Sequence, residues 1–322
     1  MPDFTLLVLS DPADPYLPML DAIKGQASVV IGNDETSLAS GAASARALLN
    51  WTGNRTLLEK VLPMAHRLEW IHSRYAGLDS VLFPALVESH IPLTNGKGVF
   101  SQSLGEFTML GMLFFAKDVR RLLRSQAELK WDPFTVLELR GQTVGIVGYG
   151  DIGRAAAQRA HAMGMRVLAL RKQPEKSKND PYIDKVFAST ELHQMLSESD
   201  YVICAAPLTP DTKHLMSRAE FAAMKPTAVI LNVGRGPVID EQALIQALRE
   251  KRIHGAALDV FETEPLKPDN PLFTMENVLI SPHSADNTKT WLVDAMRFFI
   301  ENFQRFVNGQ PLENIVDKRA GY

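Results

Sequence analysis

The stretch GQTVGIVGYGDIGRAAAQRAHAMGMRVLALR, Gly141 to Arg171, decides the fold. Thr143–Val147 is a short apolar run rich in Val, the composition of a strand buried on both faces of a parallel sheet. Gly148, Gly150 and Gly153 follow in G-x-G-x-x-G spacing. Residues 152–163 then read as a helix, closed by Gly164 where a left-handed residue ends a helix. Residues 165–170 form a second apolar run and complete strand–helix–strand. Alone, such glycines also mark ordinary turns. Set between two strand-like runs, they let the backbone turn tightly and approach a pyrophosphate at the positive end of the helix. The stretch predicts dinucleotide binding, with a plain αβ turn as the alternative.

The end of the second strand bears on which dinucleotide. An NAD-type site places Asp or Glu about 20 residues beyond the glycines, on the ribose 2′-OH. Here that position is Arg171, followed by Lys172, with no acid before Glu175. A guanidinium grips phosphate in a planar fork, so two cations suit a 2′-phosphate. NADP(H) is the expected cofactor and NAD(H) the second choice; a solvated basic turn is the plain reading of the same residues.

At 322 residues the chain exceeds one typical core and predicts two domains. Its 46% hydrophobic content and mixed charge suit soluble globules, and a formal charge of −3 shows no footprint for nucleic acid or a membrane surface. The single cysteine, Cys204, lies in an apolar run and reads as a buried strand residue, not a nucleophile. One cysteine allows no intrachain disulfide and no cysteine-rich metal site, and fits a reducing compartment. No metal is expected. The opening MPDFTLLVLSDP has no basic n-region, and no apolar run is long enough to span a bilayer. A cytoplasmic protein is expected.

Residues 1–103 read as a small α/β unit without a glycine fingerprint. Strand candidates lie at 4–9, 28–31 and 68–73, and a helix at 57–65. Loops fall at Tyr75-Ala76-Gly77-Leu78-Asp79 and, after 91–95, at Gly96-Lys97-Gly98. The small-residue run TSLASGAASARA, 36–47, supports no assignment. Residues 104–123 predict one long helix ending in arginines, which suit a helix C-terminus. It is apolar on more than one face early on, as a helix buried between domains or subunits would be. From Thr143 onward, strands at 144–147, 166–170, 201–205, 228–232, 255–260 and 278–281 alternate with helices at 151–163, 192–196, 218–224 and 241–251. Asp240 is a fair N-cap for the last. This alternation implies a doubly wound parallel sheet with sites at the carboxyl ends of its strands. Residues 291–307 form a final amphipathic helix that, with the tail to 322, is expected to cross back to the N-terminal domain.

Three segments follow strand ends in the second half. Asn232-Val233-Gly234-Arg235-Gly236-Pro237 sets an arginine between glycines. A lone arginine there is ordinarily a surface ion-pair partner, but an exposed turn also lets it present a guanidinium to a carboxylate or carbonyl. Leu258-Asp259-Val260-Phe261-Glu262-Thr263-Glu264-Pro265 carries acids that read equally as loop charges. Ile280-Ser281-Pro282-His283-Ser284-Ala285 puts a histidine just past another strand. If the three strands share one sheet, their ends converge on the cofactor crevice.

Taken together, these segments resemble the D-isomer-specific 2-hydroxyacid dehydrogenases, which include glyoxylate/hydroxypyruvate reductases and phosphoglycerate dehydrogenases. The resemblance runs nearly full length, on VGYGDIG, AAPLTPDTKHLM (205–216), NVGRGPVIDEQAL (232–244), GAALDVFETEP (255–265) and SPHSA (281–285). It implies an α/β fold of two Rossmann-like doubly wound domains. A flavodoxin-like substrate domain, 1–103 and 287–322, would flank a dinucleotide-binding domain at 104–286, and the chain would form a homodimer. The family's Arg–Glu–His triad carries over onto Arg235, Glu264 and His283; Glu264, not Glu262, directly precedes Pro265. The implied reaction is NAD(P)H-dependent reduction of a small 2-keto acid to the D-2-hydroxy acid, with glyoxylate and hydroxypyruvate as substrates by analogy. Arg235 would grip the carboxylate and the ketone oxygen. His283 would donate the proton, kept loaded by the Glu264 carboxylate, and in the oxidative direction would be the base.

The same resemblance places Asp151 and Ile152 at the pyrophosphate, and Ala206, Pro207, Thr212, Val233, Gly234 and Ala285 along the cofactor. Asp259 would bond the nicotinamide carboxamide. Backbone N–H groups of Tyr75, Ala76 and Gly77 would take the substrate carboxylate, with Lys97-Gly98-Val99 nearby. Arg171 departs from NAD-using members, which carry an acid there. Related formate dehydrogenases carry glutamine at the position of Glu264, and phosphite-oxidising relatives carry lysine where this chain has Ala76. A non-catalytic NAD(P)-sensing protein of the co-repressor type is the remaining alternative. Against it stand the lack of long flanking tails and of a basic segment.

Overall fold

Twelve strands, every pair of them parallel, make two sheets among residues 4–321, which this computed structural model describes. Met1, Pro2 and Asp3 of the opening stretch read for a leader, and Tyr322 at the end of the tail, lie outside the described residues. The chain divides into two units: Met1–Phe100 with Thr288–Tyr322, and Ser101–Asn287.

In the first unit β1 (Thr5–Leu9), β2 (Ser28–Gly32), β3 (Ala45–Asn50), β4 (Trp70–Ser73) and β5 (Leu93–Asn95) lie in the order β2-β1-β3-β4-β5, the flavodoxin-like arrangement. Every residue of β1 is buried, because both sheet faces are covered. On one face Leu7, Leu9, Leu48 and Ile71 pack with Leu38, Leu57 and Val61 from the helices Glu35–Ala42 and Arg55–Val61. On the other, Leu6, Val8, Trp51 and Trp70 meet Ala295, Met296, Phe299 and Phe303 of the helix Trp291–Val307. Those four positions form one helical stripe, which is why the C-terminal helix belongs to this unit. The unassigned run 36–47 holds most of the helix Glu35–Ala42 and the start of β3. One of its small residues has a packing cause: a Cβ on Gly41 would come within 2.8 Å of the Val30 side chain on β2. Asp34 starts that helix by accepting the Ser37 N–H at 2.8 Å.

In the second unit β6 (Thr143–Val147), β7 (Arg166–Leu170), β8 (Lys185–Phe187), β9 (Tyr201–Cys204), β10 (Val229–Asn232), β11 (Gly255–Leu258) and β12 (Val278–Ile280) lie in the order β12-β11-β10-β9-β6-β7-β8. The order reverses between β6 and β9, the switch point at which such sheets bind ligands. Strand β8 is absent from the sequence expectation because it is three residues long and at an edge. The expected single helix at 104–123 is two, Ser101–Ala116 and Val119–Ala127. Between them Asp118 takes φ of 45°, and its carboxylate accepts the Arg121 N–H at 3.3 Å, so one side chain starts the second helix where the first stops. Ser101–Ala116 approaches Asp151–Ala162 closely because Gly105 faces the Ala155 carbonyl; a Cβ there would sit 3.1 Å from it. Cys204 is fully buried, and burial pushes its thiol up to about 12. No helix of the described residues is long and apolar enough to cross a membrane.

Candidate active site

β6 runs directly into the glycine loop. Gly148 has φ of 92°, and a Cβ on it would lie 2.6 Å from the Ala206 backbone, so the bare glycine lets the loops after β6 and β9 touch. Gly153 draws the helix onto the loop: a Cβ there would lie 2.4 Å from the Gly148 carbonyl oxygen. Gly150 is the N-cap of Asp151–Ala162. No side chain caps this helix, and a Cβ on Gly150 would meet nothing within 4 Å. Open space over an uncapped helix N-terminus fits an anionic phosphate, so the residues present fit a dinucleotide.

Arg171 leaves β7 with its N–H bonded to the Phe187 carbonyl at 3.0 Å, and its guanidinium donates to the buried Ser177 hydroxyl. Lys172 pairs with Asp211 at 3.1 Å, the two side chains 70% and 75% exposed. Thr212 fastens its own loop, donating to the Pro207 carbonyl at 2.6 Å and accepting the Thr209 N–H at 2.8 Å. Ala206 and Val233 are buried at the ends of β9 and β10.

Asn232 ends β10 and clamps the turn beyond it. Its side-chain Oδ1 accepts the Gly234 N–H at 3.1 Å and its side-chain Nδ2 donates to the Arg235 carbonyl at 3.1 Å. Gly236 sets this turn against the loop after β11, since a Cβ there would fall 1.7 Å from the Phe261 oxygen. Asp259, buried at the end of β11, builds the next loop with one oxygen. Its Oδ1 accepts from Ser281 Oγ at 2.6 Å, the Ser284 N–H at 2.9 Å and the Ala285 N–H at 3.0 Å. Its carbonyl takes the His283 N–H at 2.9 Å. His283 itself sits at φ of 53°, an uncommon conformation for a non-glycine residue.

His283 Nδ1 lies 2.7 Å from Glu264 Oε2, while Glu264 Oε1 accepts the Phe261 N–H at 2.9 Å. A carboxylate only accepts, so Nδ1 carries the hydrogen and Nε2 is left to exchange a proton. Glu262 is engaged elsewhere, with His214 Nε2 at 2.7 Å and the Glu241 N–H at 3.4 Å. Burial raises the Asp286 carboxyl above its usual range, reinforced by Asp259 and opposed by His283 and Arg235.

Arg235, Asp259, Glu264 and His283 thus stand at the carboxyl ends of adjacent strands of one sheet, on the side of the glycine loop. Asn232, Ser281, Ser177 and Asp286 are additions the sequence reading lacks. Asn232 carried one signal, a polar residue closing an apolar strand. In the first unit Tyr75, Ala76 and Gly77 follow β4. Asn95 holds this loop by donating to the Ala76 carbonyl at 2.7 Å. Among the described residues, the N–H groups of Tyr75, Ala76 and Gly77 have no protein acceptor. The described residues also contain no group of three or more His, Cys, Asp or Glu able to hold a metal.

Residues 109–285 match the family D-isomer specific 2-hydroxyacid dehydrogenase, NAD binding domain. The chain is 33% identical over 311 residues to the D-3-phosphoglycerate dehydrogenase of Methanocaldococcus jannaschii; the match covers 92% of this chain and 57% of that one, so the chain spans little more than half of that relative. It is 35% identical over 286 residues to the glyoxylate/hydroxypyruvate reductase B of Salmonella agona, covering 86% of each. The D-isomer specific 2-hydroxyacid dehydrogenase of Xanthobacter autotrophicus Py2, solved with NADPH and MES, is similar at a TM-score of 0.84 and 31% identity over 99% of this chain and 100% of that one.

Proposed function

The chain belongs to the D-isomer-specific 2-hydroxyacid dehydrogenase family, and from that premise we propose that it reduces a small 2-keto acid of the glyoxylate/hydroxypyruvate kind to the D-2-hydroxy acid. The 2.7 Å pair of His283 and Glu264 carries this reading, together with Arg235 at the end of a neighbouring strand.

A bound nicotinamide dinucleotide supplies the hydride. Arg235 offers a cation to the substrate carboxylate and ketone oxygen, so charge developing on that oxygen meets a fixed positive fork. His283 holds the transferable proton on Nε2 while Nδ1–H is committed to Glu264. Giving that proton to the ketone oxygen leaves a neutral imidazole, and the reverse reaction reloads it. Glu264 fixes the orientation and tautomer of the ring. Asp259 positions the loop through Oδ1, and its Oδ2, which accepts no hydrogen bond among the described residues, is assigned to the carboxamide. Gly148, Gly150, Asp151, Ile152 and Gly153 are assigned to the pyrophosphate, and the amides of Tyr75, Ala76 and Gly77 to the substrate carboxylate.

Preference for NADP(H) is supported by the Arg171–Ser177 pair and by a similar structure solved with NADPH. Homodimer formation is supported by Leu129 and Trp131, 94% and 96% exposed, which a partner copy would cover. A reducing compartment such as the cytoplasm suits the single buried cysteine.

The test follows absorbance at the reduced nicotinamide band, with NADPH and NADH run separately against glyoxylate, hydroxypyruvate, pyruvate and phenylpyruvate. Turnover on the small acids, abolished in His283→Ala, is the expected result. Activity confined to phenylpyruvate would overturn the substrate assignment. Cofactor binding without turnover on any acid would overturn the enzyme reading in favour of a sensor.

A further inference from the structure

Arg74 lies in the first unit, between β4 and the Tyr75-Ala76-Gly77 loop. Its guanidinium carbon stands 4.7 Å from the Trp51 ring centroid, 4.6 Å from Tyr75 and 5.2 Å from Trp291. One of its terminal nitrogens donates to the Tyr75 hydroxyl. The walls of this box are themselves fixed. Trp51 is buried and donates its indole N–H to Asp14 at 2.9 Å, and Trp291 leans on Phe100 with centroids 5.6 Å apart.

Arginines on the same chain are commonly paired with acids, as Arg46 is with Glu69 and Arg121 with Asp132. Arg74 has no carboxylate partner among the described residues, and its buried Nε has no acceptor. Ring faces orient a guanidinium but carry no net charge, so they leave this cation uncompensated. Beside it come three backbone N–H groups without a protein acceptor. In the reaction proposed above, those amides already serve the one carboxylate that every 2-keto acid has. The Arg74 fork is surplus to a monoanionic substrate.

Resting on that reductase reading, we propose that Arg74 is a specificity-determining residue for a second anionic group at the far end of the substrate. The acid then keeps the 2-keto acid head of hydroxypyruvate but carries a carboxylate or phosphate at its distal end. A planar fork held in place before binding suits either group in two-point contact.

The experiment measures kcat/KM of the full chain with NADPH on pyruvate, oxaloacetate and 3-phosphohydroxypyruvate, for wild type, Arg74→Met and Arg74→Lys. The readout is the ratio of each dianionic acid to pyruvate. Arg74→Met keeps an apolar stem among the rings and removes the charge; Arg74→Lys keeps the charge and removes the fork. At least one ratio should favour the dianion in wild type and fall about 10- to 100-fold in Arg74→Met, the scale of one lost charge-assisted contact. Arg74→Lys should fall between. Which of the two acids responds identifies the anion as carboxylate or phosphate. No dianion preference in wild type, or a ratio unchanged in Arg74→Met, would overturn the proposal. So would new turnover of phenylpyruvate in Arg74→Met with the ratios intact, which would make Arg74 a plug in an aromatic box. In parallel, the enzyme–NADPH complex is titrated calorimetrically with D-malate and D-lactate, which differ by the distal carboxylate; Arg74→Met should weaken D-malate selectively. Calorimetry needs no turnover, so failure to reduce any acid would sink the reductase reading while this arm still decides the role of Arg74.

Discussion

Two cations follow β7, and their surroundings rank them. Arg171 is half-buried and its guanidinium is already oriented by the buried Ser177 hydroxyl; Lys172 is 70% exposed and paired with Asp211. A held, partly desolvated guanidinium on a 2′-phosphate is a charge-assisted contact worth about 1.5–3 kcal/mol. An exposed lysine contributes about 0–1 kcal/mol, because water and a competing carboxylate screen it. At about 1.4 kcal/mol per tenfold, Arg171→Ala should lower the NADPH/NADH ratio of kcat/KM by about 10- to 100-fold, and Lys172→Ala by less than about 5-fold. The ratio is the quantity to measure, since NADH lacks the 2′-phosphate and any damage to folding or chemistry cancels. Repeating the assay at higher ionic strength should erode the Lys172 effect first, because exposed charges are screened more than half-buried ones. Ser177→Ala should move the ratio in the direction of Arg171→Ala, by less. A larger effect from Lys172→Ala, or an unmoved ratio in Arg171→Ala, would refute this ranking.

Three further outcomes are expected. Glu264→Gln should lower kcat/KM about 10- to 100-fold through loss of the carboxylate that orients the His283 ring through Nδ1–H, while Glu262→Gln, whose acid serves His214, should cost under about 3-fold; steady-state assays giving equal losses would count against the assignment. Gly148→Ala puts a Cβ 2.6 Å from the Ala206 backbone at φ of 92°. It should destabilise the fold by about 2–4 kcal/mol in urea titrations, and wild-type stability would mean that the two loops part freely. Burial holds the His72 imidazole neutral down to about 3, against 6.5 for the free ring. Below pH 6.5 the unfolded chain therefore binds a proton that the fold refuses. Stability should fall as pH drops toward 3, by about 1.4 kcal/mol per pH unit from this group. His72→Gln should flatten that limb in urea midpoints taken across the window, and an unchanged slope would assign the acid sensitivity to other groups.

The sequence exposes long-period features and hides short ones. Strands such as β6 and β9 read directly because four or five consecutive apolar residues serve a sheet covered on both faces. Strand β3 does not, because the small-residue run before it, in which Gly41 lies close against Val30 of β2, mimics a loop. The break at Asp118 is masked by apolar residues on either side, since one left-handed residue leaves no trace in hydrophobic periodicity. In the candidate site, Arg235, Glu264 and His283 are singled out by the family resemblance of the segments that carry them. Asn232 clamps its own turn through residues two and three positions on, while Ser281 reaches Asp259 only because the register of β11 and β12 sets their ends side by side. The resemblance also points to Asp259, but its three-donor role in shaping the loop of His283 leaves no mark in the sequence.

The close approaches at Gly148, Gly234 and Gly236 have an evolutionary reading. A Cβ at any of the three would meet backbone within 2.7 Å, not a side chain that could move aside. The loops carrying the chemistry can then be inherited only as a block, since altering one spacing disturbs the next. Arg171 with Ser177, and Arg74 among its rings, stand in contrast on surroundings made of side chains. Single substitutions can retune those two places separately. On the roles proposed for Arg171 and Arg74, choice of cofactor and choice of substrate are then free to drift apart in descendants of this chain while the proton-transfer apparatus stays the same.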